Sequence, residues 1–179
     1  TARMEELMQE DTLKQFLPAT ESWFRKTFGE PTKIQREAWP AIADGKHVLV
    51  SAPTGTGKTL SAFLVFIDQL GGLAERGELK EELYVIYVSP LKSLAGDIRE
   101  NLRKPLEGIG AEAPGESKAE SRPGNPFIGQ IQAAIRTGDT PQKERQRMVK
   151  HPPHILIITP ESLYLMLTSK SRSEERRVG

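Results

Sequence analysis

Val48-Leu49-Val50-Ser51-Ala52-Pro53-Thr54-Gly55-Thr56-Gly57-Lys58-Thr59, followed by the apolar-rich stretch Leu60 to Leu70, decides how the rest of this 179-residue chain is read. Val48-Leu49-Val50 reads as a buried strand and Leu60 to Leu70 as an amphipathic helix, with a Gly-rich loop between them. That context is what a phosphate-binding loop requires. Gly55 and Gly57 let the main chain turn tightly and bring N–H groups close to an anion. The helix that follows aims its positive end at the same place. Lys58 offers a compact positive charge to the β- and γ-phosphates of a nucleotide, and the Thr59 hydroxyl suits Mg²⁺. Ala52 stands where the common pattern has its first Gly. A turn that only joins strand to helix is the bland alternative, and Gly-Lys-Thr in this setting speaks against it.

The composition bounds the rest. Hydrophobic residues make up 37% and charged residues 27%, which suits one soluble core of ordinary size. No apolar stretch approaches the ~20 residues that span a bilayer, so no membrane partner is expected. Thr1 to Asp11 is polar rather than signal-like, and the chain has no Cys. A disulfide framework and a Cys-type zinc site are thereby excluded, and a cytoplasmic location is expected. Formal net charge is +1, so any nucleic-acid contact must come from a local patch.

Both ends read as unnatural. The chain begins at Thr1 without Met. Arg172-Ser173-Glu174-Glu175-Arg176-Arg177-Val178-Gly179 matches the in-frame translation of a common sequencing adapter (AGA TCG GAA GAG CGT CGT GTA GGG). On that reading residues 172–179 are an artefact and the natural sequence stops near Ser171. Without the three Arg and two Glu of this tail, basic and acidic residues balance at 22 each.

Strand-like and helix-like segments alternate after residue 45, the sequence sign of an α/β fold with a mostly parallel sheet flanked by helices. Strands are expected at His47–Ala52, Leu83–Ser89, Gln130–Arg136 and His154–Thr159. Helices are expected at Lys58–Leu70, Leu91–Leu102, Thr140–Lys150 and Pro160–Thr168, and upstream at Pro18–Phe28 and Ile34–Ile42. Trp23, Phe24, Phe28 and Trp39 read as core contacts of the upstream helices. Glu107 to Gly129 is rich in Gly, Pro, Ser and charge, and is expected to be a flexible internal loop at 107–129. In the basic stretch Arg136 to Lys150, Lys143, Arg147 and Lys150 share a helix face that reads as solvated. His151 and His154 read as strand-entry residues rather than metal ligands.

Four further segments surround the phosphate loop in a telling order. Phe28-Gly29-Glu30-Pro31-Thr32-Lys33-Ile34-Gln35 precedes it by about twenty residues, and a Gln amide can pair with the N6 and N7 edge of adenine. Ser89-Pro90-Leu91-Lys92-Ser93-Leu94, Arg136-Thr137-Gly138-Asp139-Thr140-Pro141 and Thr159-Pro160-Glu161-Ser162-Leu163 each follow an expected strand. Singly, each reads as ordinary cap and turn chemistry. Together they resemble the Q motif and motifs Ia, Ib and Ic of superfamily 2 DEAD/DEAH-box-like helicases. The exact wording is similar to the large-helicase-related (Lhr-type) family, over roughly residues 12 to 171.

The resemblance implies a RecA-like P-loop NTPase domain, with residues 1–171 as part of the first of two RecA-like domains. It implies ATP and Mg²⁺ as cofactors, held by Phe28, Thr32, Gln35, Thr54, Gly55, Thr56, Gly57, Lys58 and Thr59. Lys58 and Thr59 are the implied catalytic residues, and Thr59 the metal contact. Single-stranded DNA, with RNA as the alternative, would lie on Pro90, Lys92, Arg136, Gly138, Asp139, Thr159, Pro160 and Glu161, held mainly through its backbone. The Asp-Glu motif strand and the second RecA-like domain are expected beyond residue 171. The chain by itself is therefore expected to be a poor ATPase and marginally stable. A binding module without turnover and a small-molecule kinase are the other readings. The Gln segment and the strand-end motifs argue against the kinase.

Overall fold

The computed structural model describes residues 11–51, 53, 57–90, 92–112 and 130–175. The chain divides into two compact units, one built from residues up to Leu79 together with Arg103–Gln130, the other from Lys80–Leu102 and from Ile131 onward.

The first unit is helical. A short 3₁₀ turn, Thr12–Gln15, starts where the Asp11 carboxylate accepts the Leu13 N–H. Helix α1, Pro18–Phe28, opens on a proline, whose missing N–H is no loss at a helix start. Helix α2, Lys33–Ala43, is capped by Thr32, and helix α3, Lys58–Glu75, follows Gly57 directly. Their apolar faces meet around Leu13, Phe24, Trp39, Phe63, Leu64 and Ile67, all fully buried. Trp39 receives Phe16 and Phe24 edge-on at 5.0 and 5.3 Å, a favoured geometry for aromatic quadrupoles. Its indole N–H donates to the Ser61 carbonyl at 3.0 Å, tying α2 to α3. Asp68 on α3 accepts the Leu17 N–H at 2.8 Å, anchoring the entry to α1.

The second unit carries the sheet. Strands β1 (Val85–Val88), β2 (Ala133–Arg136) and β3 (Ile155–Ile158) are all parallel, in the order β1-β3-β2. Central β3 is Ile-Leu-Ile-Ile and buried throughout, as a strand covered on both faces should be. Helix α5, Gln142–Lys150, and helix α6, Pro160–Glu175, follow β2 and β3. Helix α4, Lys92–Glu112, starts in this unit after β1 and ends in the first unit. At the foot of β3, the buried His154 Nδ1 accepts the Gln132 N–H at 2.8 Å. Burial pushes its pKa below the usual imidazole value, against smaller opposing pulls from the Lys80 main chain and Glu81. Among the described residues, no helix is long and apolar enough to cross a membrane.

Two expectations need correction. Residues 47–51 form no strand, and Leu49 is 95% exposed. A strand exists only through ladder bonds to a neighbour, and among the described residues no such bond reaches 47–51. Ala52 lies outside the described residues. The segment expected as a loop from Glu107 begins instead as the last turns of α4, which continue to Glu112. Tertiary contacts hold those turns: Ile109 is fully buried, and the Glu112 carboxylate accepts from Ser22 at 2.8 Å and Lys26 at 2.6 Å. The rest of that loop, 113–129, lies outside the described residues, as do 176–179 of the tail.

Candidate nucleotide and nucleic-acid sites

The described residues among those expected to hold a nucleotide fall in the first unit. Thr32 and Gln35 form a reciprocal capping box: the Thr32 hydroxyl accepts the Gln35 N–H at 3.3 Å, and the Gln35 carbonyl accepts the Thr32 N–H at 2.9 Å. The Thr-x-x-Gln spacing signals this cap in the sequence, beside the adenine contact that Gln35 suggests. Gln35 is 3% exposed, and one lone pair of its carbonyl serves the cap. Its amide end lies against the phosphate loop: a Cβ added to Gly57 would stand 2.8 Å from Gln35 Nε2. Gly57 also has φ of +82°. The segment expected to read adenine is thus packed on the glycine that opens α3.

The amino end of α3 suits an anion. Its N-cap is Gly57, which has no side chain with which to cap the helix, and a helix start favours negative charge. The Lys58 ammonium donates to the Pro53 carbonyl. Thr59 is half-buried in the first turn. Ser61 donates to the Gly57 carbonyl at 2.9 Å and is held in turn by Trp39. A helix start that opens on glycine, a nearby ammonium and a hydroxyl fit nucleotide phosphates with Mg²⁺. Phe28 stands at the rim of the aromatic cluster, 53% exposed, with Trp23 at 5.6 Å and Phe24 at 5.1 Å. Thr54, Gly55 and Thr56 lie outside the described residues.

The residues expected to hold nucleic acid fall in the second unit, and the sheet register brings their loops together. Val88, Ile158 and Arg136 end their strands side by side, so the segments that follow leave the same edge. Ser89 N–H bonds the Ile158 carbonyl at 3.0 Å, which keeps the first loop against β3. Pro90 is exposed, and Lys92 starts α4. Arg136 is half-buried, its guanidinium 3.6 Å from Met166 Sδ. Gly138 and Asp139 are exposed in a turn closed by Thr137 and Thr140, whose hydroxyl accepts the Thr137 N–H at 2.8 Å. Pro160 and Glu161 are exposed in the first turn of α6. Thr159 differs: it is 4% exposed, and its hydroxyl donates to the Ser162 hydroxyl at 3.1 Å.

Three structural details escaped the sequence. Arg145 grips the 137–140 turn, with no spacing rule to announce it. Trp39 braces the phosphate-loop helix across 22 residues of sequence. His151 pairs with Glu81 at 2.8 Å, an acidic partner seventy residues away.

A family model for DEAD/DEAH box helicases matches residues 32–178. The chain belongs to the DEAD/DEAH box helicase family. Within it, the chain is 45% identical over 169 residues to the Lhr helicase/uracil glycosylase of Escherichia coli, covering 91% of this chain and 10% of that protein. It is 48% identical over 158 residues to the ATP-dependent helicase Lhr-Core of Methanothermobacter thermautotrophicus, covering 88% of this chain and 17% of that one. The Mycobacterium smegmatis helicase Lhr, solved bound to ssDNA and AMP-PNP, superposes with a TM-score of 0.74 at 44% identity, over 91% of this chain and 19% of that one. The Lhr-type resemblance and the RecA-like α/β fold read from the motifs are borne out. The chain spans between 10% and 17% of the length of these two curated helicases.

Proposed function

We propose that residues 1–171 form part of the first RecA-like domain of an Lhr-type, ATP-driven helicase that moves along single-stranded DNA in the cytoplasm. The observation that carries this reading is the register that ends Val88, Ile158 and Arg136 side by side, so that three phosphate-competent loops share one sheet edge. Ligands of open α/β sheets bind at that edge, beyond the strand carboxyl ends. Backbone amides at turns and helix starts grip phosphates without reading bases, as a translocating motor requires. The M. smegmatis relative, captured with ssDNA and AMP-PNP, supports both ligand classes.

On this reading the nucleotide base lies near Phe28, Thr32 and Gln35, and its phosphates at residues 54–59. Bound ATP supplies the free energy of phosphoryl transfer. Lys58 would hold positive charge against the β- and γ-phosphates, and Thr59 would offer its hydroxyl to Mg²⁺. In the whole protein, an Asp-Glu pair and a second RecA-like domain complete the reaction.

Titration with ATP and GTP, then with single-stranded DNA and RNA over a salt series, tests it. ATP should bind more tightly than GTP, and Lys58→Ala should weaken ATP binding sharply. DNA affinity should fall as salt rises, through counterion release. Equal ATP and GTP affinities that ignore Lys58→Ala would sink the nucleotide assignment. RNA binding as tight as DNA binding would replace the substrate class.

A further inference from the structure

The turn at Thr137–Thr140 is held from outside by one side chain. From the first turn of α5, the Arg145 guanidinium donates to the Gly138 carbonyl at 2.6 Å and to the Thr140 carbonyl at 2.7 Å, with the Thr137 carbonyl at 3.5 Å. We propose that Arg145 is a positioning residue: it aims the main-chain amides of this turn at a nucleic-acid phosphate and does not itself contact the strand. The proposal rests on the nucleic-acid reading of this edge and adds to it the residue that shapes it.

The geometry follows from the planar trans peptide, in which the C=O of one residue and the N–H of the next point in opposite directions. Holding the Thr137 and Gly138 carbonyls toward Arg145 therefore turns the Gly138 and Asp139 N–H groups away from it. The guanidinium spreads five N–H donors in a fixed planar fork, so it can span separated carbonyls in set directions that the compact, freely rotating ammonium of Lys does not reproduce. Arg145 was one of five basic residues in its stretch, and its partners are uncharged main chain, so its contribution is direction rather than charge.

The test compares the full chain with Arg145→Ala and Arg145→Lys. Oligo-dT affinity is measured across a salt series, and amide exchange is followed at Thr140, whose N–H bonds the Thr137 carbonyl at 3.2 Å. Protection of the β3 amides reports that each variant is folded. Arg145→Ala should bind about tenfold more weakly with an unchanged salt slope, since the lost bonds are to the turn and not to phosphate. Arg145→Lys should fail to rescue, and Thr140 should exchange faster in both. Wild-type affinity in Arg145→Ala, or rescue by Lys, would overturn the proposal. So would a slope smaller by about 0.7, the mark of one lost phosphate contact. If no form binds the strand while Thr140 still exchanges faster in the variants, the nucleic-acid reading fails and the clamp on the turn survives.

Discussion

Gly57 carries two constraints at once, and they separate by substitution. Its φ of +82° is a conformation that L side chains adopt at a cost of about 1–2 kcal/mol. A Cβ there would also meet Gln35 Nε2 at 2.8 Å, so Gln35 would have to move and loosen the bond it returns to the Thr32 cap. Gly45 shares the positive φ, at +71°, but nothing lies within 4 Å of its would-be Cβ. Gly45→Ala should therefore show the backbone cost alone in a denaturant midpoint and leave ATP titration unchanged. Gly57→Ala should lose more stability and weaken ATP binding. Gln35→Ala isolates the cap: losing its acceptor should cost about 1 kcal/mol. An unchanged midpoint in Gln35→Ala would show that the capping box contributes nothing.

At the scale of elements, the carboxyl end of α4 shows how packing overrides composition. Gly108 lies against the Trp23 indole, so closely that an added Cβ would overlap the ring. Two effects of Gly108→Ala oppose each other. Helix propensity favours Ala by about 1 kcal/mol, while forcing a methyl into a packed contact costs about 1–3 kcal/mol. The clash should win, because the obstacle is a ring on α1 and not the tip of a flexible chain. Thermal unfolding should show Gly108→Ala below wild type, and Trp23→Leu in the same chain should recover part of the difference through a favourable coupling. A Gly108→Ala variant that melts higher would mean that α1 and α4 do not touch there. The same packing explains why the Gly- and charge-rich run from Glu107 misled as a loop. Ile109, Ser22 and Lys26 supply partners that no local pattern contains.

Across the whole molecule, the two units should respond to pH in opposite senses. Burial raises the Asp68 carboxyl above its ordinary value of 3.8, outweighing the Leu17 N–H that favours the ionised form. The folded first unit therefore holds a proton that the unfolded chain releases, and this stability is full below 3.8 and lost as pH rises through the raised value. His154 is the reverse: its folded pKa lies below 6.5, so its contribution is full above 6.5 and is lost as pH falls toward the depressed value. Residue-resolved amide exchange at pH 7 and pH 5 should show the β3 amides losing protection at pH 5 in wild type but not in His154→Gln. Equal loss in both would remove His154 as the cause. By itself the sequence determined the parallel strands near 85–88, 133–136 and 155–158 and the helix that opens at Lys58. Those signals are local: short apolar runs, glycines at a turn, caps at helix starts. Only the tertiary structure decided that residues 47–51 form no strand, that Gln35 is shared between a cap and the phosphate loop, and that Arg145 holds the 137–140 turn. A strand needs a ladder partner and a long side chain needs carbonyls to reach. Both are set by which residues distant in sequence fold together, which no local pattern records.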